Sequence, residues 1–279
     1  MISKKTLAVT ALALLLSQQS FASETEGFYF GSGYYGQFLN GMGELKAKIG
    51  DTAATADNKV SINDRSAQST EGQLLSKYKG DYNPPFAANV AFGYTGELGN
   101  NSYRAELEGM YSSIKVDNIG LTNGQMTISY TKDSGKYGAI VNHDQVENAS
   151  IMANVYHHWK SDHFSFSPYV GVGVGATRMT MFEKSSIRPA VQLKAGLDYR
   201  INEDVNMHIG YRGFGAIGSS EYKLDTLKWD STFDNGKGKL KGKMVEQAGG
   251  NPVSTTIQNC FFHTHGIEAG LTFHFASKA

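Results

Sequence analysis

Tyr103-Arg104-Ala105-Glu106-Leu107-Glu108-Gly109-Met110-Tyr111 puts apolar or small residues at every odd position and Arg104, Glu106 and Glu108 at even positions between them. A helix would mix these two sets around its surface, whereas an extended strand sorts them onto opposite faces. One face is greasy and the other is charged. The same alternation recurs in seven further segments: Phe28–Phe38, Phe86–Thr95, Ala149–Lys160, Phe166–Gly175, Val191–Ile201, Val205–Arg212 and Thr264–Phe275. In the sixth of the eight segments, for example, Val191, Leu193, Ala195, Leu197, Tyr199 and Ile201 oppose Gln192, Lys194, Asp198 and Arg200.

Period two alone also suits a soluble sandwich, so the connections decide. Glu97–Ser102, the stretch around Ser161–His163, and Asn202–Asp204 are short. The other four connections run over about 39–85, 113–148, 177–188 and 215–262. Short turns at one end and long loops at the other predict an all-β fold, an eight-stranded antiparallel up-and-down transmembrane β-barrel with long extracellular loops. Strands of roughly ten residues are the expected length.

The amino terminus supplies the route to a membrane. Lys4 and Lys5 precede an apolar run from Leu7 to Leu16, and Ser20-Phe21-Ala22 fits a small-x-small cleavage site. The run is about half of the roughly 20 residues that a spanning helix needs. Residues 1–22 therefore read as a signal peptide and residues 23–279 as the barrel domain. Cleavage there removes two lysines and leaves 24 basic against 26 acidic side chains. That balance gives no electrostatic footprint for nucleic acid. Cys260 is the one cysteine, so no intrachain disulfide is expected.

Aromatics test the register independently. Phe28, Phe30, Tyr94, Tyr103, Trp159, Phe166, Tyr199, Phe273 and Phe275 fall at one end of alternating antiparallel strands, all on the outward parity. Outer-membrane lipid is the implied partner, because aromatic rings collect where lipid meets water. The inward parity then collects Arg104, Lys194, Arg200 and Arg212 with Glu106, Glu108, Asp198 and Glu268. An eight-stranded interior is just wide enough for side chains to fill, so these four cations and four acids are expected to pair and close the lumen.

Other motifs carry little chemistry. Gly171, Gly173 and Gly175 imitate a dinucleotide fingerprint but lie within an alternating Val/Gly strand, so no cofactor is implied. His263 and His265 are too few for a zinc site, and His157 and His158 beside Trp159 read as interfacial. No metal and no catalytic constellation emerge, so the chain is not read as an enzyme. The candidate contact residues are in the fourth loop: Tyr222, Trp229 and Phe233, with the lysine stripe Lys237, Lys239, Lys241 and Lys243. The first loop, with its balanced charges, is expected to shield or vary.

Gly27-Phe28-Tyr29-Phe30-Gly31, Asn83-Pro84-Pro85-Phe86, Ser167-Pro168-Tyr169-Val170-Gly171-Val172-Gly173 and Gly266-Ile267-Glu268-Ala269-Gly270 resemble strands of the Rickettsiales surface-antigen family, the major outer-membrane proteins of Anaplasma, Ehrlichia and Wolbachia. The resemblance spans most of the mature chain in order. It implies an outer-membrane surface antigen with loops outside the cell, meeting host-cell surface molecules or antibodies. Porin activity in some members makes a small solute channel the alternative.

Overall fold

The computed structural model describes residues 26–41, 45–49, 52–53, 60–62, 65–66, 73–74, 81–82, 86–99, 101–117, 125–132, 135–142, 145–160, 166–230, 243–245 and 254–275. The proposed signal peptide lies outside them. Eight antiparallel strands form the body: β1 (Gly27–Gly41), β2 (Phe86–Leu98), β3 (Asn101–Asp117), β4 (Gln145–Trp159), β5 (Phe166–Met181), β6 (Lys184–Arg200), β7 (Val205–Ala216) and β8 (Phe262–His274). Each pairs with its neighbours in sequence, and β8 pairs with β1, Phe273 opposite Phe30. The ring is closed, so its backbone groups are paired without an open edge, as a lipid environment demands.

The alternation becomes two surfaces. Leu107, Ile151, Val172, Leu193 and Ile267 point outward and are exposed, whereas Glu108, Met152, Gln192 and Glu268 point inward and are buried. On β6 the contrast between neighbours is extreme, with Leu193 at 66% and Gln192 at 2%. Outward Phe28, Phe30, Tyr103, Trp159, Phe273 and Phe275 are exposed at the short-turn end. This apolar exterior is the lipid-facing belt of a transmembrane barrel.

Short turns have local causes. Gly99 links β2 to β3 with φ 61°, a left-handed conformation that glycine adopts without steric cost. Between β6 and β7 the Asn202 Oδ1 accepts from the backbone N–H of Asp204 at 3.0 Å and of Val205 at 2.9 Å. This Asx turn competes with continued strand and reverses the chain.

Two features depart from the expected outline. The strands are 12 to 17 residues long, because several run on beyond the belt toward the long-loop end. The connection expected over 177–188 is a two-residue turn, Phe182-Glu183, with φ 54° and 60°. A tight hairpin matching strand twist wants positive φ at both central residues. Phe182 adopts it at a cost of about 1–2 kcal/mol, offset by burial of a whole aromatic ring. It is 2% exposed and meets Tyr222 edge-on, ring centroids 5.7 Å apart.

Above the belt the alternation inverts. Met179 and Met181 on β5 are buried and inward while Arg178 is exposed. Met110, Ile114, Val146, Phe214 and Phe262 join them as buried groups. The interior therefore has a polar layer in the middle of the barrel and an apolar layer toward the long-loop end.

The long loops carry β-structure of their own. Leu45–Ile49 of the first loop pairs with Ser254–Asn259 of the fourth, which also pairs with Ser220–Asp225. The second loop forms a hairpin, Gln125–Lys132 with Gly135–Asn142. The first loop, expected to shield or vary, thus contributes strands to shared sheets.

Candidate functional site

The polar layer is built around Glu108 on β3. Its parity points it inward, and five neighbours on four strands supply donors. Asn89 Nδ2 lies at 2.5 Å, Asn154 Nδ2 at 2.9 Å, Gln192 Nε2 at 2.7 Å, Lys194 Nζ at 3.2 Å and Arg212 Nη1 at 2.8 Å. Both Glu108 and Arg212 have side chains at 0% exposure. Arg212 also donates to Gln192 Oε1 and stacks over the Tyr35 ring, 5.2 Å from its centroid. A buried carboxylate is tolerable only with its lone pairs met and a cation beside it, and Glu108 has both.

Lys194 sits among three carboxylates: Glu108 at 3.2 Å, Glu268 at 3.5 Å and Glu106 at 3.9 Å. Glu106 also accepts from Tyr29 Oη at 2.6 Å, Asn154 Nδ2 at 2.8 Å and the Tyr156 hydroxyl. Nearer the short-turn end, Arg104 meets Asp198 at 3.2 Å, and His158 Nε2 lies 2.7 Å from the same carboxylate oxygen. The charged residues expected in the lumen thus meet in two groups, Glu106, Glu108 and Glu268 with Lys194 and Arg212, and Arg104 with Asp198. Arg200 is half-buried at the short-turn end, where its Nε donates to the Asn202 carbonyl at 3.3 Å. It is the last residue of β6, directly beside the turn to β7.

Sequence reasoning missed the neutral half of this layer. Asn89, Asn154, Gln192, Tyr29 and Tyr156 share the inward parity, and that parity was the available signal. His158 was read as interfacial, but it is 1% exposed and faces the lumen. Its neighbour His157 is the outward one, edge-on to Trp159 at 4.7 Å. Close packing also explains two glycines: a Cβ on Gly171 would overlap the Tyr156 ring, and one on Gly173 would overlap Asn154. Among the described residues, a cavity of about 30 Å³ in this layer is bordered by Tyr29, Asn89, Arg104, Lys194 and His208. It holds one or two waters at most.

Of the candidate contact residues in the fourth loop, Tyr222 is 1% exposed. Besides meeting Phe182, its hydroxyl lies 3.3 Å from Ser186 Oγ. It is a packing residue of the apolar layer, not an exposed anchor, because its strand turns Tyr222 and Leu224 inward and Glu221 and Lys223 out. Trp229 and Lys243 lie on the paired strands Leu227–Asp230 and Lys243–Val245. Phe233, Lys237, Lys239 and Lys241 lie outside the described residues. Among the described residues, no three His, Cys, Asp or Glu side chains come together as a metal site would require.

The neck of the fourth loop is held by Arg188 on β6. Its side chain donates to Asn259 Oδ1 at 2.7 Å, to the carbonyls of Ala216 at 3.1 Å and Ile217 at 3.4 Å, and to those of Gly218 and Cys260. These acceptors lie where the loop leaves β7 and where it returns to β8. One guanidinium therefore ties both ends.

No curated protein matches the chain. Solved structures similar to it include the outer membrane protein OprG from Pseudomonas aeruginosa, at 11% identity over 92% of this chain and 100% of that one, with a TM-score of 0.48. Neisserial surface protein A is another, at 13% identity over 91% and 100%, with a TM-score of 0.38. The model of the surface antigen family matches residues 21–275, nearly the whole length, and the chain belongs to that family, as an outer-membrane β-barrel protein.

Proposed function

We propose that the protein is a non-conducting support whose barrel displays long loops at the bacterial surface for contact with host-cell molecules and as targets for antibodies. The observation that carries this reading is the filled lumen. Glu108 and Arg212 meet across the middle of the barrel with no exposed surface, and an apolar layer follows on the long-loop side. A path for solutes would need both layers to move. The small-channel alternative is accordingly the weaker one. Nothing in the reading calls for catalysis, a cofactor or nucleic acid. The strand motifs quoted above support a place among the Rickettsiales members of the family, and residues 1–22 are proposed as the export signal.

Two measurements on the full protein refolded into lipid test the reading. Single-channel recording in planar bilayers should give no stable large currents from the monomer. Beads coated with the protein should adhere to host cells, and beads carrying a barrel with all long loops shortened should not. Stable large currents, together with adhesion that survives loop shortening, would reverse the assignment in favour of transport.

A further inference from the structure

Among the described residues, three imidazoles face the lumen at its short-turn end: His158 on β4, His208 on β7 and His274 on β8. The carboxylate beside them is Asp198, 2.7 Å from His158 Nε2 and 3.2 Å from Arg104. Nδ1 of His208 and Nδ1 of His274 are both buried without a hydrogen-bond partner. Nε2 of His274 accepts from Asn206 Nδ2 at 3.4 Å, a role that only the uncharged ring can fill. The charged side chains acting on His208 are Asp198 and Lys194 from β6, Glu268 from β8 and Arg104 from β3. Those acting on His274 are Arg104, Asp198, Arg200 and, from the β6–β7 turn, Asp204. Tyr29 of β1 lies 5.7 Å from the His274 ring and Tyr169 of β5 lies 5.3 Å from that of His158. From β2 comes Thr95, which does not titrate.

Charge arithmetic limits how many of these rings can be imidazolium at once. In the polar layer the carboxylates Glu106, Glu108, Asp198 and Glu268 face three permanent cations, Arg104, Lys194 and Arg212, so one further positive charge is balanced. His158, against Asp198, is placed to hold it. A second and a third find no carboxylate to spare, because Asp198 then serves Arg104 and His158, while Glu268 lies between Lys194 at 3.5 Å and Arg212 at 3.6 Å. Arg200 and Asp204 at the mouth are one charge of each sign. We propose that His208 and His274 make the short-turn end of the plug an acid-labile latch: in mildly acidic solution they take up protons, strand positive charge beside Arg104, and open this end to water while the apolar layer stays shut.

Imidazole is the side chain whose charge ordinarily changes between pH 5 and 8. An unfolded chain binds such protons freely in acid, whereas the closed interior takes them only by holding charge without a partner, which is costly. Unfolding therefore becomes easier as the pH falls, by up to about tenfold per pH unit for each such ring. Stability is kept at neutral pH and lost on acidification. Position confines the effect: His274 is the last residue of β8 and its partner Asn206 the second of β7, so the loosened end borders the mouth. Ile114, Met179, Met181 and Phe262 in the apolar layer are buried and carry nothing that acid charges. The latch thus goes beyond the loop-display reading and leaves the barrel non-conducting at either pH.

The test uses the full chain in phosphatidylcholine vesicles, in a Cys260→Ser background. Single cysteines are introduced as Thr95→Cys, inward beside Arg104 and buried, as Ile114→Cys in the apolar layer, and as Glu203→Cys in the exposed β6–β7 turn. Labelling by methyl methanethiosulfonate, which crosses the bilayer, is divided by the rate at Glu203→Cys to remove the reagent's own pH dependence. Between pH 7 and pH 5 the Thr95→Cys ratio should rise about tenfold or more and the urea midpoint should fall. Ile114→Cys should stay unlabelled at both. The double variant His208→Gln, His274→Gln should lose both acid effects, because it keeps His158 and every outward or loop histidine. A Thr95→Cys ratio that ignores pH, or rises as steeply in the double variant, would overturn the proposal, as would acid labelling at Ile114→Cys. Should the double variant not fold, either single variant decides: a shallower acid rise supports the latch and an unchanged one overturns it. Neither host adhesion nor conductance is read here, so failure of the loop-display reading would appear separately.

Discussion

Arg212 Nη1 lies 2.8 Å from Glu108 Oε1 across the barrel interior, and neither side chain reaches solvent. Breaking a buried pair by removing one partner leaves a stranded charge and costs about 3–5 kcal/mol. Arg212→Met should show that loss in urea titrations of the protein in lipid vesicles. Arg212→Met combined with Glu108→Gln should cost less than the single change, because no bare charge remains. Simple additivity of the two would mean that the pair is not coupled.

The outward surface makes a depth prediction. Leu193 is 66% exposed in the middle of β6, so Leu193→Arg should destabilise the barrel by about 2–4 kcal/mol in lipid. Ile187, 78% exposed and nearer the long-loop end, should tolerate the same change at about 0–1 kcal/mol. Gln192 offers no safe inward control. It donates to Glu108 and accepts from Arg212, so Gln192→Arg would set a second guanidinium beside the first and should also destabilise. Equal tolerance at Leu193 and Ile187 would put the lipid belt in the wrong place.

Packing inside the polar layer makes another. Gly171→Ala would push a methyl group into the Tyr156 ring, whose hydroxyl is held by Glu106, and should cost about 1–3 kcal/mol. Gly213→Ala on β7 meets nothing within 4 Å and should be neutral or slightly stabilising. The ratio of the two unfolding midpoints is the measurement.

The apolar layer can be tested at its turn. Phe182→Gly would relieve about 1–2 kcal/mol of left-handed strain while giving up about 1.5–3 kcal/mol of burial, so the net change should be a modest loss. Tyr222→Ala, which strips the opposing ring with no strain to relieve, should cost more, about 3–5 kcal/mol of local stability. Protease cleavage in the fourth loop should accelerate accordingly, and more for Tyr222→Ala, with gel migration of the barrel unchanged.

The number of strands, which face of each is greasy, the aromatic ring and the end from which the loops leave were all legible in the sequence. They are local properties: a strand repeats every two residues, and lipid selects apolar side chains at every outward position in the belt. Parity also assigns the lumen residues to the inward face, and Arg104, Glu108, Lys194, Asp198, Arg212 and Glu268 are buried there. It says nothing of height or direction around the ring. Only the assembled barrel brought Glu108 to Arg212, 104 residues away, set Arg200 at the mouth and placed His158 against Asp198. The inverted stretch at Met179 and Met181 was hidden for a related reason. Above the lipid the outside is polar and the inside apolar, so the same strand reads locally as the end of a pattern. The loop pairings were the least visible of all, because short strands such as Val60–Ile62 have too few residues for periodicity and find their partners through contacts that closure of the ring alone makes possible.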